Sequence, residues 1–399
     1  MHHSHVRTFL VAALIATILP FNGFSILVAQ AATTTIVVAP HNLETSTDLG
    51  VAGDNDNWFF YNDEYDAEGN DLGIDNTLGS FVTGPATVPA GSGSVQISVS
   101  GTQRRNLATY QFRGTPLADI TTLKFSTYNP SAGNGGGANR SGYLGFNVSF
   151  DGTDTWQKRL IYGPSDNGAV QQDTWQEWDA INNGNAIWHW SGGTPWPGGV
   201  TNTAGYVGAN RTWADILADF PNARIRATDS FLGIRVGSPY PDGYTENIDA
   251  FKFGVSGNET VFDFEPETPC TAVCYVDAVN GNDAFGGDTI TSAKKTIQAA
   301  VNQVNAGGTV LVAAGTYEEQ VTIGKSLTLV GTGAATTIIQ APAGLLPPEG
   351  ENSNIVKIAG ADVSVELSGF TITGPGAGRG IFVRDGAYAN IHDNLTMSD

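Results

Sequence analysis

The last ninety residues of the chain consist of short apolar segments, and this pattern restricts the fold more than any other feature. The segments lie at residues 310–312, 321–323, 327–330, 338–339, 355–358, 363–367, 370–372 and 381–383. Most are separated by tight Gly, Asn or Asp turns, and no helical pattern intervenes, which excludes βαβ units. Residues 365–372 recur weakly at 389–397, displaced by 24 to 25 positions. Such a repeat predicts a β-solenoid whose coils stack on one another.

A single helix is predicted just before these segments, at residues 292–304. Ile297, Val301 and Val304 form one apolar stripe at helical spacing, and Gly307 and Gly308 follow in the position of a helix C-terminus. Because open strand edges invite aggregation, we expect this helix to cover the first coil.

The preceding part of the chain has a different composition. All eight tryptophans lie between Trp58 and Trp213, and a proline-flanked stretch at residues 266–269 indicates a linker. Short alternating segments such as 94–100, 122–128 and 143–150 predict an all-β sandwich or jelly roll. One helix is expected at residues 212–220, with Thr212 as its N-cap. The predicted organisation is therefore a leader at 1–31, a β-sandwich module at 32–267 and a β-helix at 268–399.

Residues 1–31 have the features of a secretory signal peptide. A short start ending in Arg7 precedes an apolar run, and Ala29-Gln-Ala31 is a small-x-small cleavage pattern. The alternative is an uncleaved membrane anchor, although Pro20 interrupts the run. Cleavage would leave no further apolar run of spanning length. We expect a secreted protein, extracellular or at the cell surface.

The only two cysteines, Cys270 and Cys274, agree with export. A disulfide between them is predicted for an oxidising compartment, and two unpaired thiols are the alternative because the loop is short.

Composition excludes several classes of protein. The formal net charge of −20 argues against binding nucleic acid, which needs a basic surface. Hydrophobic residues make up 41% of the chain, so it is not intrinsically disordered as a whole. Glycine is abundant at 50 residues, but without a G-X-Y period the chain is not a collagen.

The second half of the chain resembles a known superfamily. Residues 275–283 (YVDAVNGND), 293–301 (AKKTIQAAV), 308–317, 321–323 and 327–331 follow one another as in the N-terminal entry of the right-handed parallel β-helix, or pectin-lyase-like, superfamily. The resemblance spans about residues 274–399 and implies an all-β fold with a capping helix. That superfamily includes polysaccharide lyases, glycoside hydrolases and surface proteins without known activity. Residues 34–266 resemble, less specifically, jelly-roll modules of secreted bacterial proteins, which often bind carbohydrate. About three coils are visible, so we expect a β-helix that is only partly present.

Two oxygen-rich loops are candidate calcium sites. Nine carboxylates and no base lie between Asp48 and Asp75, and Asp54 and Asp56 alternate with asparagines there. Hard cations such as Ca²⁺ take oxygen ligands of this kind, and Asp249 from a late strand is a further candidate ligand. The alternative is a solvated acidic loop.

Asp277 and Asp283 lie in the second oxygen-rich loop. Calcium binding is the functional interpretation of that loop, and Asx turns that satisfy backbone groups are the alternative. Calcium, if bound, would have a structural role.

Tryptophans in the first module are candidate carbohydrate-binding residues. Trp188, Trp190 and Trp196 lie in a Gly- and Pro-rich region, and an exposed indole can stack on a sugar ring. The alternative is that they form the core of the sandwich. Trp196, between two prolines, is the best candidate for exposure.

The leading functional hypothesis is an exported, non-catalytic scaffold of the carbohydrate-associated or adhesion type, with a polysaccharide or surface glycan as its partner. No catalytic residue is assigned. One alternative is a polysaccharide lyase or glycoside hydrolase whose active coils lie beyond Asp399. Others are a structural stalk and a protein-binding solenoid. Asn394 is expected to point inward and to bond to the backbone of neighbouring coils.

Overall fold

A computed structural model describes residues 32–44, 57–65, 68, 71–134, 137–154, 158–193, 195–199, 210–228, 230–237, 240–343, 354–374 and 379–396. The predicted leader at 1–31 and the candidate calcium ligands Asp54 and Asp56 lie outside these ranges. The buried apolar residues form two large clusters, one running from Val38 to Phe264 and the other from Cys270 to Ile372. The described part of the chain therefore has two main cores, and the polar stretch at 265–269 lies between them in sequence.

The elements of the first unit follow one another in a chain of short strands. In chain order they are β1 (Thr33–Val38), β2 (Trp58–Tyr65), β3 (Asp71–Ile74), β4 (Gly79–Thr83), β5 (Gly93–Gly101), β6 (Arg104–Thr109), β7 (Ile120–Tyr128), β8 (Tyr143–Ser149), β9 (Arg159–Tyr162), α1 (Pro164–Asn167), β10 (Trp175–Asp179), β11 (Ile187–Trp190), β12 (Asn210–Thr212), α2 (Trp213–Asp219), β13 (Arg224–Ile225), β14 (Leu232–Gly237), β15 (Tyr240–Val255) and β16 (Asn258–Phe264).

These strands form two sheets. One has the order β1-β16-β15-β5-β4, with β7 on β15 and β10 on β7. The other has the order β12-β11-β9-β8-β14-β6-β2-β3, with β13 on β8. All the pairings are antiparallel except that of β1 with β16.

Aromatic rings connect the two sheets. Trp58 of β2 is buried, and its ring lies 5.1, 5.4 and 5.0 Å from those of Phe251, Phe262 and Phe264 on the opposite sheet. Edge-to-face contacts of this kind add to the free energy gained from burying the rings. The predicted helix is also present: α2 begins after Thr212, whose hydroxyl accepts a hydrogen bond from the Asp215 amide at 3.1 Å.

The second unit is a parallel β-helix. Its elements are β17 (Val273–Val276), α3 (Ile297–Gln303), β18 (Thr309–Val312), β19 (Gly315–Glu318), β20 (Val321–Ile323), β21 (Leu327–Gly331), β22 (Thr337–Gln340), β23 (Asn354–Ala359), β24 (Ser364–Ser368), β25 (Thr371–Thr373), β26 (Arg379–Arg384), β27 (Tyr388–His392) and β28 (Leu395–Thr396). They form three parallel sheets, ordered β17-β18-β21-β24-β27, β19-β22-β25-β28 and β20-β23-β26.

One apolar column shows how the coils stack. Cys274, Val310, Leu329, Leu367 and Ile391 occupy matching positions on the five strands of the first sheet. The first four are buried, whereas Ile391, on the outermost strand, is 41% exposed. Each coil thus buries its apolar face against its neighbours.

Helix α3 lies against the entry strands of this stack. Ile297, Ala300 and Val301 are buried in the second core. The helix is shorter than predicted because Ser292 and Thr296 use their side chains in polar contacts with Asp288 and Asp283. Beside it, Cys270 and Cys274 form a disulfide, with their Cα atoms 5.1 Å apart. No helix among the described residues is long and apolar enough to cross a membrane.

Candidate functional site

The outer face of the first β-helix sheet carries a cluster of polar side chains. On β24, Val365 and Leu367 point into the core, so the alternation of a strand turns Glu366 outward. On the adjacent strand β27, Asn390 pairs with Glu366 and His392 pairs with Ser368. The parallel register therefore places Glu366 and His392 on one surface.

His392 connects two carboxylates in this cluster. Its Nδ1 atom lies 2.9 Å from Asp393 Oδ2, and its Nε2 atom lies 3.2 Å from Glu366 Oε1. The hydrogen bonds to Asp393 and then to Glu366 raise the pKa of His392 above its ordinary value, because the protonated ring can donate to both carboxylates. We name Glu366, His392 and Asp393 the acid-histidine cluster.

The turn after β27 is fixed by Asn394. Its Nδ2 group donates to the carbonyl of Leu367 at 2.9 Å, and its Oδ1 atom accepts from the Phe370 amide at 2.8 Å. The expectation that Asn394 bonds to the backbone of neighbouring coils is confirmed. Asp393 thereby receives a defined position beside His392, at a positive φ of 55° that Asp tolerates well.

Tyr388 begins β27 on the same outward side as Asn390 and His392, and its side chain is 66% exposed. Tyr388 therefore offers an exposed apolar ring on the same face of β27 as the polar side chains of Asn390 and His392. This combination suits a ligand with both ring faces and hydroxyl groups.

The predicted tryptophan platform is wrong for two of its three members. Trp188 is fully buried, with its ring 5.4 Å from that of Trp213. Trp196, the best candidate for exposure, is 1% exposed and stacks on Phe220 at 6.1 Å. Trp190 is partly buried and packs against the same core. The large apolar area of an indole favours burial, so Trp188 and Trp196 belong to the core alternative.

The described candidate calcium ligands are engaged in other contacts. Asp249 is buried, and its two carboxylate oxygens accept hydrogen bonds from the amides of Ala90 at 2.9 Å and Phe264 at 3.2 Å. Burial is the largest cause that raises the pKa of Asp249, to about 7, and a group that is half protonated near neutrality is a weak cation ligand.

Asp277 and Asp283 serve the turn chemistry that was the alternative for their loop. Asp277 accepts from the amides of Val279 and Asn280 at 2.8 and 3.1 Å. Asp283 accepts from the amides of Lys295 and Thr296, both at 2.9 Å. Within the described residues, no group of three or more His, Cys, Asp or Glu side chains could hold a metal ion. Calcium at Asp54 and Asp56 stays a prediction.

Sequence reasoning did not single out the acid-histidine cluster. Glu366 and His392 are 26 positions apart, and their proximity depends on the register between β24 and β27. The 24-residue repeat was the one feature of the sequence that could have revealed this cluster. It aligns Glu366 with Asn390, and His392 lies two residues after Asn390 on the same strand.

Among comparisons with known proteins, only the comparison with solved structures gives matches. No family model matches this chain, and no curated protein matches it either. Among solved structures, the chain is similar to two variants of the catalytic domain of a GH87 alpha-1,3-glucanase, each in complex with nigerose. The sequences are 13% and 12% identical, and both TM-scores are 0.19. The matches cover 85% of this chain and 52% of the other, so the chain spans about half the length of these structures.

These structures are catalytic domains, and this finding contradicts the expectation of a non-catalytic scaffold of the carbohydrate-associated or adhesion type. At a TM-score of 0.19, no residue role and no substrate is transferred from these structures to this chain.

Proposed function

We propose that the protein is a glycoside hydrolase that acts on extracellular polysaccharide at the outer face of the first β-helix sheet. The observation that carries the proposal is the pair of carboxylates, Glu366 and Asp393, held on the two ring nitrogens of His392. Glycosidases use two carboxyl groups, one as the proton donor to the glycosidic oxygen and the other as base or nucleophile.

The exposure of the cluster suits a polymeric substrate. The side chains of Glu366, His392 and Asp393 are 51%, 42% and 85% exposed. A chain of sugars can therefore lie across the sheet without entering a closed pocket, with Tyr388 as a stacking surface at one end. Each ring nitrogen of His392 lies within hydrogen-bond distance of one carboxylate, so the histidine holds both carboxyl groups in position on the sheet surface.

Export and the finer architecture belong to the same proposal. A polysaccharide too large to enter a cell requires a secreted enzyme, in agreement with the signal-peptide pattern at residues 1–31. We also infer that the two-sheet unit is a jelly-roll-like sandwich and that the coils of the β-helix turn in the right-handed sense, as the family resemblance implies.

The test is hydrolysis of a panel of neutral and acidic polysaccharides by the purified full chain, measured as the release of reducing ends. Glu366→Gln and Asp393→Asn should each lower the rate by about 10²- to 10⁴-fold, the usual contribution of a positioned acid or base. Asp385→Asn is the matched control, because Asp385 is also exposed, also has positive φ, and pairs with Arg384 on another sheet. Activity unchanged in both site variants, no cleavage of any polysaccharide, or products with a new carbon–carbon double bond would overturn the proposal.

A second measurement tests the geometry of the cluster without activity. Histidine NMR titration should give His392 a pKa above the ordinary value of 6.5, because two carboxylates stabilise its protonated form. The pKa should fall toward 6.5 in Glu366→Gln and further in the double variant with Asp393→Asn. In Asp385→Asn it should not move.

A further inference from the structure

The two-sheet unit has a cleft of its own, remote in sequence from the acid-histidine cluster. The cleft has a volume of about 260 Å³ and lies where β8, β9 and β11 meet the short helix α1. Its hydrogen-bonding groups come from Asn139, Ser141, Tyr143, Asp166, His189 and Tyr240. This volume is near the lower end of the range for ligand sites, and it suits a single ring-sized group whose neighbours project into solvent.

The pleat of the sheet explains why these side chains converge. Leu144 and Trp188 point into the core, so Tyr143 and His189, one residue away on their strands, point out on the opposite face. Ile161 of β9 pairs with both Gly145 of β8 and His189 of β11.

Two members of the cleft have unused hydrogen-bonding capacity. Among the described residues, no hydrogen bond or ion pair engages the carboxylate of Asp166 or the imidazole of His189. Burial lowers the pKa of His189, although Asp166 opposes that shift, so the imidazole is neutral at pH 7 and offers one donor and one acceptor.

The two tyrosines are held in place from behind. Arg235 Nη1 donates to the Tyr143 hydroxyl at 3.4 Å, which leaves the phenol proton available to a ligand. The guanidinium of Arg140 lies 4.6 Å over the ring of Tyr240 and is itself anchored on the carbonyls of Asn134 and Gly243. Both rings are therefore positioned before any ligand binds, which reduces the entropy lost on binding.

We propose that this cleft binds one residue of a neutral saccharide, at a site distinct from the hydrolytic cluster. Uncharged hydroxyl, amide and imidazole groups beside aromatic rings match the alternating hydroxyls and apolar faces of a sugar ring. Among the described residues that line the cleft, Asp166 is the one charged side chain, and its carboxylate can accept hydrogen bonds from two sugar hydroxyls but repels an anionic sugar. Asp166 and His189 are the only two described lining residues of the types that bind metal ions strongly, and such a site usually needs more.

The test is calorimetric titration with glucose, galactose, mannose, nigerose, maltose and cellobiose, and with glucuronate as the anionic probe and glucosamine as the cationic probe. It uses the full chain carrying Glu366→Gln, so that the sugars are not consumed and failure of the hydrolase proposal leaves the result interpretable. At least one neutral sugar should bind with a Kd of about 1 mM, the affinity expected for one ring with few contacts.

Variants then locate the site. His189→Ala and Asp166→Asn should each weaken binding about tenfold, and addition of the bound sugar should shift the His189 imidazole NMR signals while leaving those of His392 in place. Asp119→Asn, an exposed acid elsewhere in the same unit, should bind normally. No binding of any neutral sugar at about 10 mM, tighter binding of glucuronate or glucosamine, or equal binding by the His189 and Asp166 variants would overturn the proposal. His189→Gln, which keeps a donor and an acceptor, separates loss of contacts from loss of fold.

Discussion

Three carboxyl groups are buried on the neighbouring strands β15 and β16. Burial is the main cause that raises the pKa of Glu246 to about 7, that of Asp249 to about 7 and that of Asp263 to about 6. Hydrogen bonds partly offset burial for the first two: those from the Ser141 hydroxyl and then the Gly142 amide for Glu246, and those from backbone amides for Asp249. For Asp263, the nearby negative charge of Glu265 adds to the shift. These groups bind protons more tightly in the folded protein than in the unfolded chain.

The sign of the resulting pH dependence follows from linkage. An acid whose folded pKa lies above its unfolded value of about 3.9 stabilises the fold at low pH and loses that contribution as pH rises through the folded pKa. For Asp263 the loss runs from about pH 4 to pH 6.

Replacing Asp263 should therefore stabilise the protein at alkaline pH. Asp263→Asn removes the repulsion by Glu265 and gives that carboxylate a donor, so the free energy of unfolding at pH 8 should rise by about 1 to 2 kcal/mol after allowance for solvent screening. At pH 4, where Asp263 is protonated, wild type and variant should agree. Urea unfolding at both pH values measures the difference. A Glu259→Gln control on the same strand should change little, and a gain of equal size at pH 4 would refute the titration argument.

The tryptophans show what residue patterns do and do not reveal. Period two correctly places Trp188 and Trp190 on one face of β11, but the sequence does not tell which face meets the core. That depends on Phe146 and Trp213, which pack on Trp188 from other elements at 5.5 and 5.4 Å. Burial of an indole is thus a tertiary property, and the local Gly- and Pro-rich composition does not predict it.

At the scale of elements, the strands of the β-helix could be predicted because each needs only an apolar inward position and a turn. Residues 321–323 match β20, and the other predicted segments match their strands to within one or two residues. The number of residues in each coil of the β-helix could not be predicted, because it differs from coil to coil. The apolar column advances by 36, 19, 38 and 24 residues from Cys274 to Ile391, since loops of different length join the strands. Only the last coil shows the period of 24.

Helix α3 depends on a carboxylate from the next coil. Glu319 follows β19, and its two oxygens accept from the Ile297 amide at 2.7 Å and the Gln298 amide at 2.9 Å, the first two N–H groups of the helix. The N-cap Thr296 accepts from Ala299 at 3.1 Å. Free amides at a helix N-terminus attract negative charge, so Glu319 fixes the cap helix on the β-helix. The sequence offered no signal for this contact, which joins residues more than twenty positions apart.

Removing the Glu319 carboxylate should lower the local stability of helix α3. Glu319→Ala leaves two donors without their acceptor, at a cost of about 2 to 3 kcal/mol in local stability. Hydrogen exchange followed by mass spectrometry should show faster exchange in peptides that cover residues 296–304, while β15 and β16 keep their protection. Glu318→Ala, at the neighbouring exposed position, is the control. Unchanged protection of the helix in the Glu319 variant would show that the cap is held by its apolar side alone.

At the scale of the whole molecule, the stretch between the two cores is tied to both of them. Glu267 accepts from the His41 amide at 2.9 Å through Oε1 and from the Gly286 amide at 2.9 Å through Oε2. The ring of His41 lies 3.2 Å from the same carboxylate and makes an edge contact with Phe285 at 6.0 Å. Burial opposes ionisation of Glu267, but the bonds from His41 and Gly286 outweigh it and hold its pKa below the usual range. The proline-flanked composition predicted a linker here, and the structure shows a joint in which an ionised carboxylate bridges the units.

Removing the Glu267 bridge should expose the segment between the two cores to proteases. Glu267→Ala removes an acceptor from two backbone amides and a partner from His41, a loss of several charge-assisted hydrogen bonds worth about 1.5 to 3 kcal/mol each. Limited proteolysis with thermolysin should then cut between the two cores at least about tenfold faster, because cleavage follows the population of the locally opened state. Both units should persist as resistant fragments, since each keeps its own apolar cluster. Glu259→Ala, which removes an acid near the start of β16, eight residues before Glu267, controls for the general effect of losing a carboxylate. A cleavage rate equal to that of the wild type would mean that packing of Phe285 and the backbone, and not the Glu267 bridge, keeps the two units together.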